Sequence, residues 1–361
     1  MFGQCRRALL CNLNPKLNPF TCLQSFTSSA QQEAHSFTYA YLLNNCGFPP
    51  KTASHLSTRL RLSSSATPDG VLALFRSHGL SAAEIRRIVE TYPNLLLHKS
   101  LQPKFSFLRS KGATDSDLVL IITKNPRILH FSLPPRYHLI HRFTLSDSST
   151  LCAIKSCPSI LYSNNPSRNI DTLLRHNVPH SKISMLLRYW ASSLVAAHPS
   201  FHAAVLQVLN LGFNPNQTLF LVALRAKLVR KSLWDSKIQL YKKWGWSEEI
   251  VLSTFLRNPW CMLASEAKIE AMMGFCVREL GWDSLLLAKH SVLIALSLEK
   301  RVVPRASVLR FLLSKRLLKD VNWAAAFIAS EDVFLKKFVL CFHKDASQLL
   351  KLYQEKRDAP R

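Results

Sequence analysis

Three kinds of side chain in this 361-residue sequence could do chemistry: thirteen histidines, nine cysteines and an excess of lysine and arginine. The pairs His138/His141, His176/His180 and His198/His202 have spacings that could ligate a metal on a helix. Pro179 and Pro199 interrupt the second and third pairs, and no cysteine or carboxylate completes a set nearby. The cysteines are odd in number and include no C-x-x-C, which speaks against a disulfide framework or a zinc ribbon and fits a reducing compartment. No glycine-rich phosphate loop, H-E-x-x-H or G-x-S-x-G occurs, and the 22 acids are too thinly spread to offer a carboxylate pair. The sequence therefore predicts no enzyme, no cofactor and no metal site.

The cations remain. Lys and Arg number 47 against 22 Asp and Glu, a formal charge of +25. Between Val222 and Lys243, Arg225, Lys227, Arg230, Lys231, Lys237, Lys242 and Lys243 are opposed only by Asp235. Between Glu299 and Asp320, Lys300, Arg301, Arg305, Arg310, Lys315, Arg316 and Lys319 are opposed only by the two terminal acids. On continuous helices, Lys227, Arg230 and Lys231 would share one face, as would Lys315, Arg316 and Lys319. Like charges on one face repel, so stripes of this kind point to a polyanion that neutralises them. The residues expected to contact nucleic-acid phosphates are Arg225, Lys227, Arg230, Lys231, Lys242, Lys243, Arg257, Arg301, Arg305, Lys315, Arg316 and Lys319. Asn94, Arg127, Arg257 and Asn258 flank mid-unit prolines and are conceivable base readers, although capping helix ends is the commoner use of such positions. Trp244, Trp246 and Trp282 flank glycines, where packing is a better expectation than base stacking.

The elements that must position these cations are written in a repeat. Six of the nine glycines, Gly47, Gly79, Gly112, Gly212, Gly245 and Gly281, recur about every 33 residues, and weaker seams near Leu145 and Asn177 fill the gap. Two residues after a glycine stands a helix N-cap (Ser81, Thr114, Asn214, Ser247, Asp283), with Glu84, Asp117 and Gln217 as N3 partners for three of them. Pro93, Pro126 and Pro259 end that helix fourteen residues after the glycine, and Pro158 suits the weak seam. A short apolar signature follows, as in Pro93-Asn94-Leu95-Leu96, and then a further helix such as Leu101 to Lys111. Each unit is thus two longer helices with a short one between. Units near 177–191 and 212–226 lack the proline, so their local geometry is expected to depart from the rest. One unit cannot bury its own apolar face, which predicts an all-α superhelical solenoid of about eight or nine three-helix repeats of about 33 residues.

The run from Gly79 through Ile85, Tyr92-Pro93-Asn94-Leu95-Leu96 and Phe107 to Gly112, repeated from Gly112 to Leu129 and from Gly245 to Leu263, resembles the mitochondrial transcription termination factor (mTERF) family. The phrases Leu42 to Phe48 and Val71 to Gly79 look like its land-plant branch. The resemblance implies a left-handed superhelix of three-helix units with a basic inner surface for double-stranded nucleic acid. It also implies organellar roles in transcription termination or initiation or, for some plant members, in intron splicing or other RNA processing.

Residues 1–35 have Arg6, Arg7 and Lys16 but no acid before Glu33, the pattern of an organellar import leader; early arginines favour the mitochondrion, with the chloroplast as the alternative. Residues 36–345 form the expected array and 346–361 a C-terminal helix end and tail. The longest apolar stretch, Trp190 to Phe213, is broken by His198, Pro199 and His202, so no membrane insertion is expected. The predicted function is a monomer that binds organellar double-stranded DNA through a basic concave groove to regulate or terminate transcription. An RNA-binding factor for splicing or maturation and a protein-interaction scaffold are the alternatives, with organellar transcription or splicing proteins as further partners.

Overall fold

In the computed structural model, which describes residues 35–358, nine residues take a left-handed backbone conformation: the six seam glycines together with Leu145, Asn177 and Arg316. Their spacings run from 32 to 36 residues, so the repeat continues past Gly281 to a seam occupied by an arginine. At most of these seams the chain closes one helix by two hydrogen bonds and starts the next at once. The Gly112 N–H donates to the Arg109 carbonyl and the Ala113 N–H to Leu108; the Asn177, Val178 pair and the Arg316, Leu317 pair repeat this on their own helices.

The first helices are α1 (residues 35–44), α2 (Pro50–Arg59) and α3 (Ala66–Ser77). From Gly79 run α4 (Ala82–Thr91), a 3-10 turn Pro93–Leu97 and α5 (Gln102–Ser110). From Gly112 come α6 (Asp115–Lys124), the 3-10 turn Pro126–His130 and α7 (Pro134–Thr144). Leu145 opens α8 (Asp147–Ser156), the turn Pro158–Leu161 and α9 (Asn165–Arg175). Asn177 opens α10 (His180–Val195) and α11 (His198–Asn210), and Gly212 opens α12 (Thr218–Lys227) and α13 (Lys231–Lys243). Gly245 opens α14 (Glu248–Arg257), the turn Pro259–Met262 and α15 (Glu266–Gly274). Gly281 opens α16 (Ser284–Lys289), the turn Ser291–Ala295 and α17 (Val303–Ser314). After Arg316 follow α18 (Trp323–Ile328), α19 (Glu331–Leu335) and α20 (Ala346–Asp358). The described residues contain no strand.

The third and fourth residues of each short turn are buried in the core: Leu95 and Leu96, Ile128 and Leu129, Ile160 and Leu161, Cys261 and Met262, Leu293 and Ile294 are all at most 1% exposed. Burying each such side chain contributes about 1.5–3 kcal/mol. In four of the five a proline before them sets the turn by removing a helical N–H, after a residue held out of the helical region (Tyr92, Asn125, Cys157, Asn258); the turn Ser291–Ala295 forms without one.

The two units expected to depart for want of that proline, those opened by Asn177 and Gly212, part company. Trp190, thirteen residues after the Asn177 seam, has φ −144° and ψ 42° and kinks α10, so the break survives without proline. In the next unit α12 runs unbroken and itself packs against the turn Pro259–Met262, leaving two helices where three were expected. Asn214 does not cap a helix there; its Oδ1 accepts from the Asn216 N–H, and α12 begins after Gln217 without a side-chain cap.

The contacts define two compact units, one ending with His141 and Ser146–Tyr162, the other made of Arg142–Leu145 and the chain from Ser163. Within the first, α4 lies on α6, α6 on α8, and the short turns on one another. Within the second, α11 lies on α12, α14 on α16, α13 on α15, and α20 on α17, with Leu349 and Tyr353 of α20 buried. The predicted import leader lies outside the described residues.

Candidate nucleic-acid interface

In several repeats the first and last helices treat their N-termini in opposite ways; in the two repeats opened by Asn177 and Gly212 the first helices, α10 and α12, have neither a side-chain cap nor a first-turn acid. Five first helices close their own ends: Ser81, Thr114, Ser146, Ser247 and Asp283 each accept a backbone N–H, and acids stand in the first turns of α4, α6, α8 and α14. These satisfy orphan donors and neutralise the positive helix end. Among the last helices, α5, α9, α11 and α13 have neither a side-chain cap nor an acid in the first turn. Cations sit there instead: Lys104 in α5, Arg168 in α9, Arg230 at the N-cap and Lys231 at the first position of α13. A cation at the positive end of a helix costs roughly 0.3–1 kcal/mol, and an anion removes that cost. Helix α15 breaks the pattern, with Ser265 capping and Glu266 beside it.

Clefts open at these ends. One of about 360 Å³ is lined by Gln207, Lys227, Val229, Lys231, Trp234 and Asp235. Its counterpart in the first compact unit, about 400 Å³, holds Lys104, Phe107, His130 and Phe131 at the starts of α5 and α7. Burial holds the Lys104 and Lys227 ammonium groups below their ordinary pKa; Lys227 Nζ lies 3.8 Å from the centre of the Trp234 ring.

The twelve residues expected to touch phosphate divide into two sets. Arg230, Lys231, Lys243, Lys315, Arg316 and Lys319 are exposed, and none has an acidic partner among the described residues. The other six are engaged by the protein itself. Arg225 lies across Trp190, Lys227 on Trp234, and Lys242 Nζ sits 3.0 Å from Glu248. Arg257 donates to the Ala288 carbonyl at 3.1 Å, as Lys124 at the same place in its own repeat donates to the Lys155 carbonyl at 2.8 Å. Arg301 donates to the carbonyls of Phe327 and Ile328 at 2.9 Å.

Arg305 is fully buried, donating to the carbonyls of Ala326, Phe327 and Ala329 and to Glu331 at 3.0 Å, with Phe334 against its guanidinium. It is therefore corrected from a ligand contact to a clamp on the C-terminal end of α18, where free carbonyls and the helix dipole both favour a cation.

Neither predicted stripe is a helical face. Lys227 ends α12 while Arg230 and Lys231 start α13, and Lys315, Arg316 and Lys319 lie on the turn that leaves α17, with Arg316 at φ 55°. Of the base-reading candidates, Asn94 and Arg127 are exposed, with Arg127 over the Tyr162 ring, whereas Asn258 is buried. Trp246 is buried, stacks on Tyr241 at 4.6 Å and donates to the Ser284 carbonyl, so it packs between repeats.

Sequence reasoning missed a set of buried polar pins on the last helices. Asn169 donates to the carbonyls of Leu194 and Ala196 at 2.9 Å, and Lys237 to Met262 at 2.7 Å, as Arg305 does to the end of α18. All three stand about 24 residues after their seams, and each satisfies carbonyls left free where a helix or short turn of the following repeat ends. Their signal was a polar residue on an otherwise apolar face.

No helix among the described residues is long and apolar enough to cross a membrane. No curated protein matches the sequence, whereas the family model described as mTERF matches residues 72–275, more than half of the chain. With the all-helical repeat and its proline-started turns, that match makes the chain a member of the mTERF family, whose proteins are nucleic-acid-binding factors.

Proposed function

We propose that the chain binds double-stranded DNA in an organelle, the mitochondrion before the chloroplast, and regulates or terminates transcription by occupying the duplex. The observation that carries this reading is the alternation of helix ends. Five first helices (α4, α6, α8, α14 and α16) neutralise their own starts, whereas α5, α9 and α13 begin with neither a side-chain cap nor a first-turn acid, beside Lys104, Arg168, Arg230 and Lys231. Such ends favour phosphate oxygens at intervals along a backbone and do no bond chemistry. Exposed Lys243, Lys315, Arg316 and Lys319 add charge without local counter-ions. Contacts of this kind release counterions, so affinity should fall steeply with salt, by a log–log slope of about 0.9 per phosphate contacted on B-form DNA. A flat salt response would remove the nucleic-acid reading in favour of a protein scaffold. Crosslinking in isolated organelles followed by sequencing of the bound strand identifies DNA or, for the splicing and maturation alternative, RNA.

A further inference from the structure

In the first compact unit, two imidazoles from successive repeats meet. His98, just after the turn Pro93–Leu97, and His130, closing the turn Pro126–His130, lie with Nε2 and Nδ1 3.2 Å apart and rings edge to face. One nitrogen donates and the other accepts, so at least one ring of the pair is neutral in this arrangement. His130 borders the 400 Å³ cleft that also holds Lys104, Phe107 and Phe131; His98 borders a second cleft with Lys99. Neither cleft has a carboxylate in its wall. Lys104 has no hydrogen-bond or ion-pair partner among the described residues.

The surrounding acids are engaged elsewhere or exposed. On α3, Asp69 accepts from the Tyr41 hydroxyl at 2.7 Å. On α4, Glu84 closes the capping box and Glu90 is exposed. On α6, Asp115 pairs with Arg109 and His78, and Asp117 with Lys155. Tyr92 packs edge-on to His130, and Arg127 lies over Tyr162. Lys104 and His130 thus line one cleft, and His98 meets His130 from the adjoining one, with no carboxylate in either wall. Burial, Lys104 and His130 together hold the His98 pKa below its ordinary value.

We propose that His98, His130 and Lys104 form a proton-linked phosphate site, at which binding of a phosphate group draws one proton from solvent onto the imidazole pair. No covalent bond changes: the pair becomes one imidazolium and one imidazole, and the phosphate supplies the missing negative charge. The inference rests on the nucleic-acid reading for the source of the phosphate, a backbone phosphate of the bound strand, while the site's chemistry would equally hold free phosphate. Burial and the neighbouring cation disfavour the charged form of His98 in the free protein and a phosphate favours it in the complex, so binding tightens as pH falls, and the gain is lost as pH rises through the pKa of the bound state.

Fluorescence anisotropy of the full chain with a labelled duplex, at fixed ionic strength, should show affinity rising roughly three- to tenfold more between about pH 8 and pH 5.5 in the wild type than in His98→Gln/His130→Gln. Gln keeps hydrogen-bonding capacity but cannot take the proton, so affinities at the alkaline end should agree within about twofold. Lys104→Met should weaken binding across the whole range. The imidazole resonances are titrated in parallel with inorganic phosphate, which should raise the His98 pKa. An unchanged pH dependence in the double variant, or imidazoles that ignore phosphate, overturns the site while leaving duplex binding in place. Absence of duplex binding at every pH, with imidazoles that still respond to phosphate, removes the nucleic-acid reading and keeps the site as one for free phosphate.

Discussion

The two most basic stretches of the chain have nearly the same charge and different uses. In Val222–Lys243 the free cations gather where α12 gives way to α13, at a helix end that lacks both cap and acid. In Glu299–Asp320 two cations turn inward: Arg301 and Arg305 hold the carbonyls that end α18, Arg310 pairs with Glu279, and Lys300, Lys315, Arg316 and Lys319 remain in solvent. What separates them is the partner one repeat away. A cation beside unsatisfied carbonyls is held by them; one beside unsatisfied N–H groups is left for an anion.

The sharpest way to test that division is to remove one member of each set. Arg305→Met should destabilise the protein by about 3 kcal/mol, because three carbonyls and Glu331 lose their buried partner. Urea unfolding would show this, and nucleic-acid affinity per folded molecule should stay the same. A loss of affinity without loss of stability would return Arg305 to the contact surface.

The complementary change is Arg230→Ala, Lys231→Ala and Lys243→Ala together. Affinity should drop about tenfold or more at moderate salt, and the salt slope should fall by roughly two to three, one for each phosphate that the variant no longer neutralises. The thermal midpoint should stay within about 2 °C, since all three side chains are exposed and two of them oppose the dipole of α13. An unaltered slope would mean that the bare end of α13 faces away from the ligand.

How much of this was legible beforehand follows from range. The seams, the turns opened by Pro93, Pro126, Pro158 and Pro259, and the caps Ser81, Thr114, Ser247 and Asp283 are local chemistry, fixed within a few residues, and were readable. Trp190 shows the limit of a residue-type signal: it takes the extended φ of the residue that precedes the proline in other repeats, with no proline after it to announce the kink. Asn214 shows another, because an Asx turn onto Asn216 competed with helix capping and won. The pins Asn169 and Lys237 were invisible because their partners lie 25 to 27 residues away. The contrast between first-helix and last-helix ends was hidden for a different reason. A proline in the first turn, Pro103 in α5 and Pro166 in α9, marks where a helix starts, and a start signal does not reveal whether the end is neutralised.

Arg316 joins both sides of the comparison, and its replacement carries the smallest expected effect. The sequence suggested a charged helical face; the backbone makes it a seam residue at φ 55°, in the place that glycine takes at six other seams. A non-glycine side chain in that conformation costs on the order of 1 kcal/mol. Arg316→Gly should therefore raise stability by about 0.5–1 kcal/mol, read from the denaturation midpoint, and lower the salt slope by about one if the guanidinium touches a phosphate. A gain in stability with an unchanged slope would make Arg316 a strained seam and nothing more. A gain together with a reduced slope would show that this repeat keeps a strained arginine where glycine would fold better, because the position is used for binding.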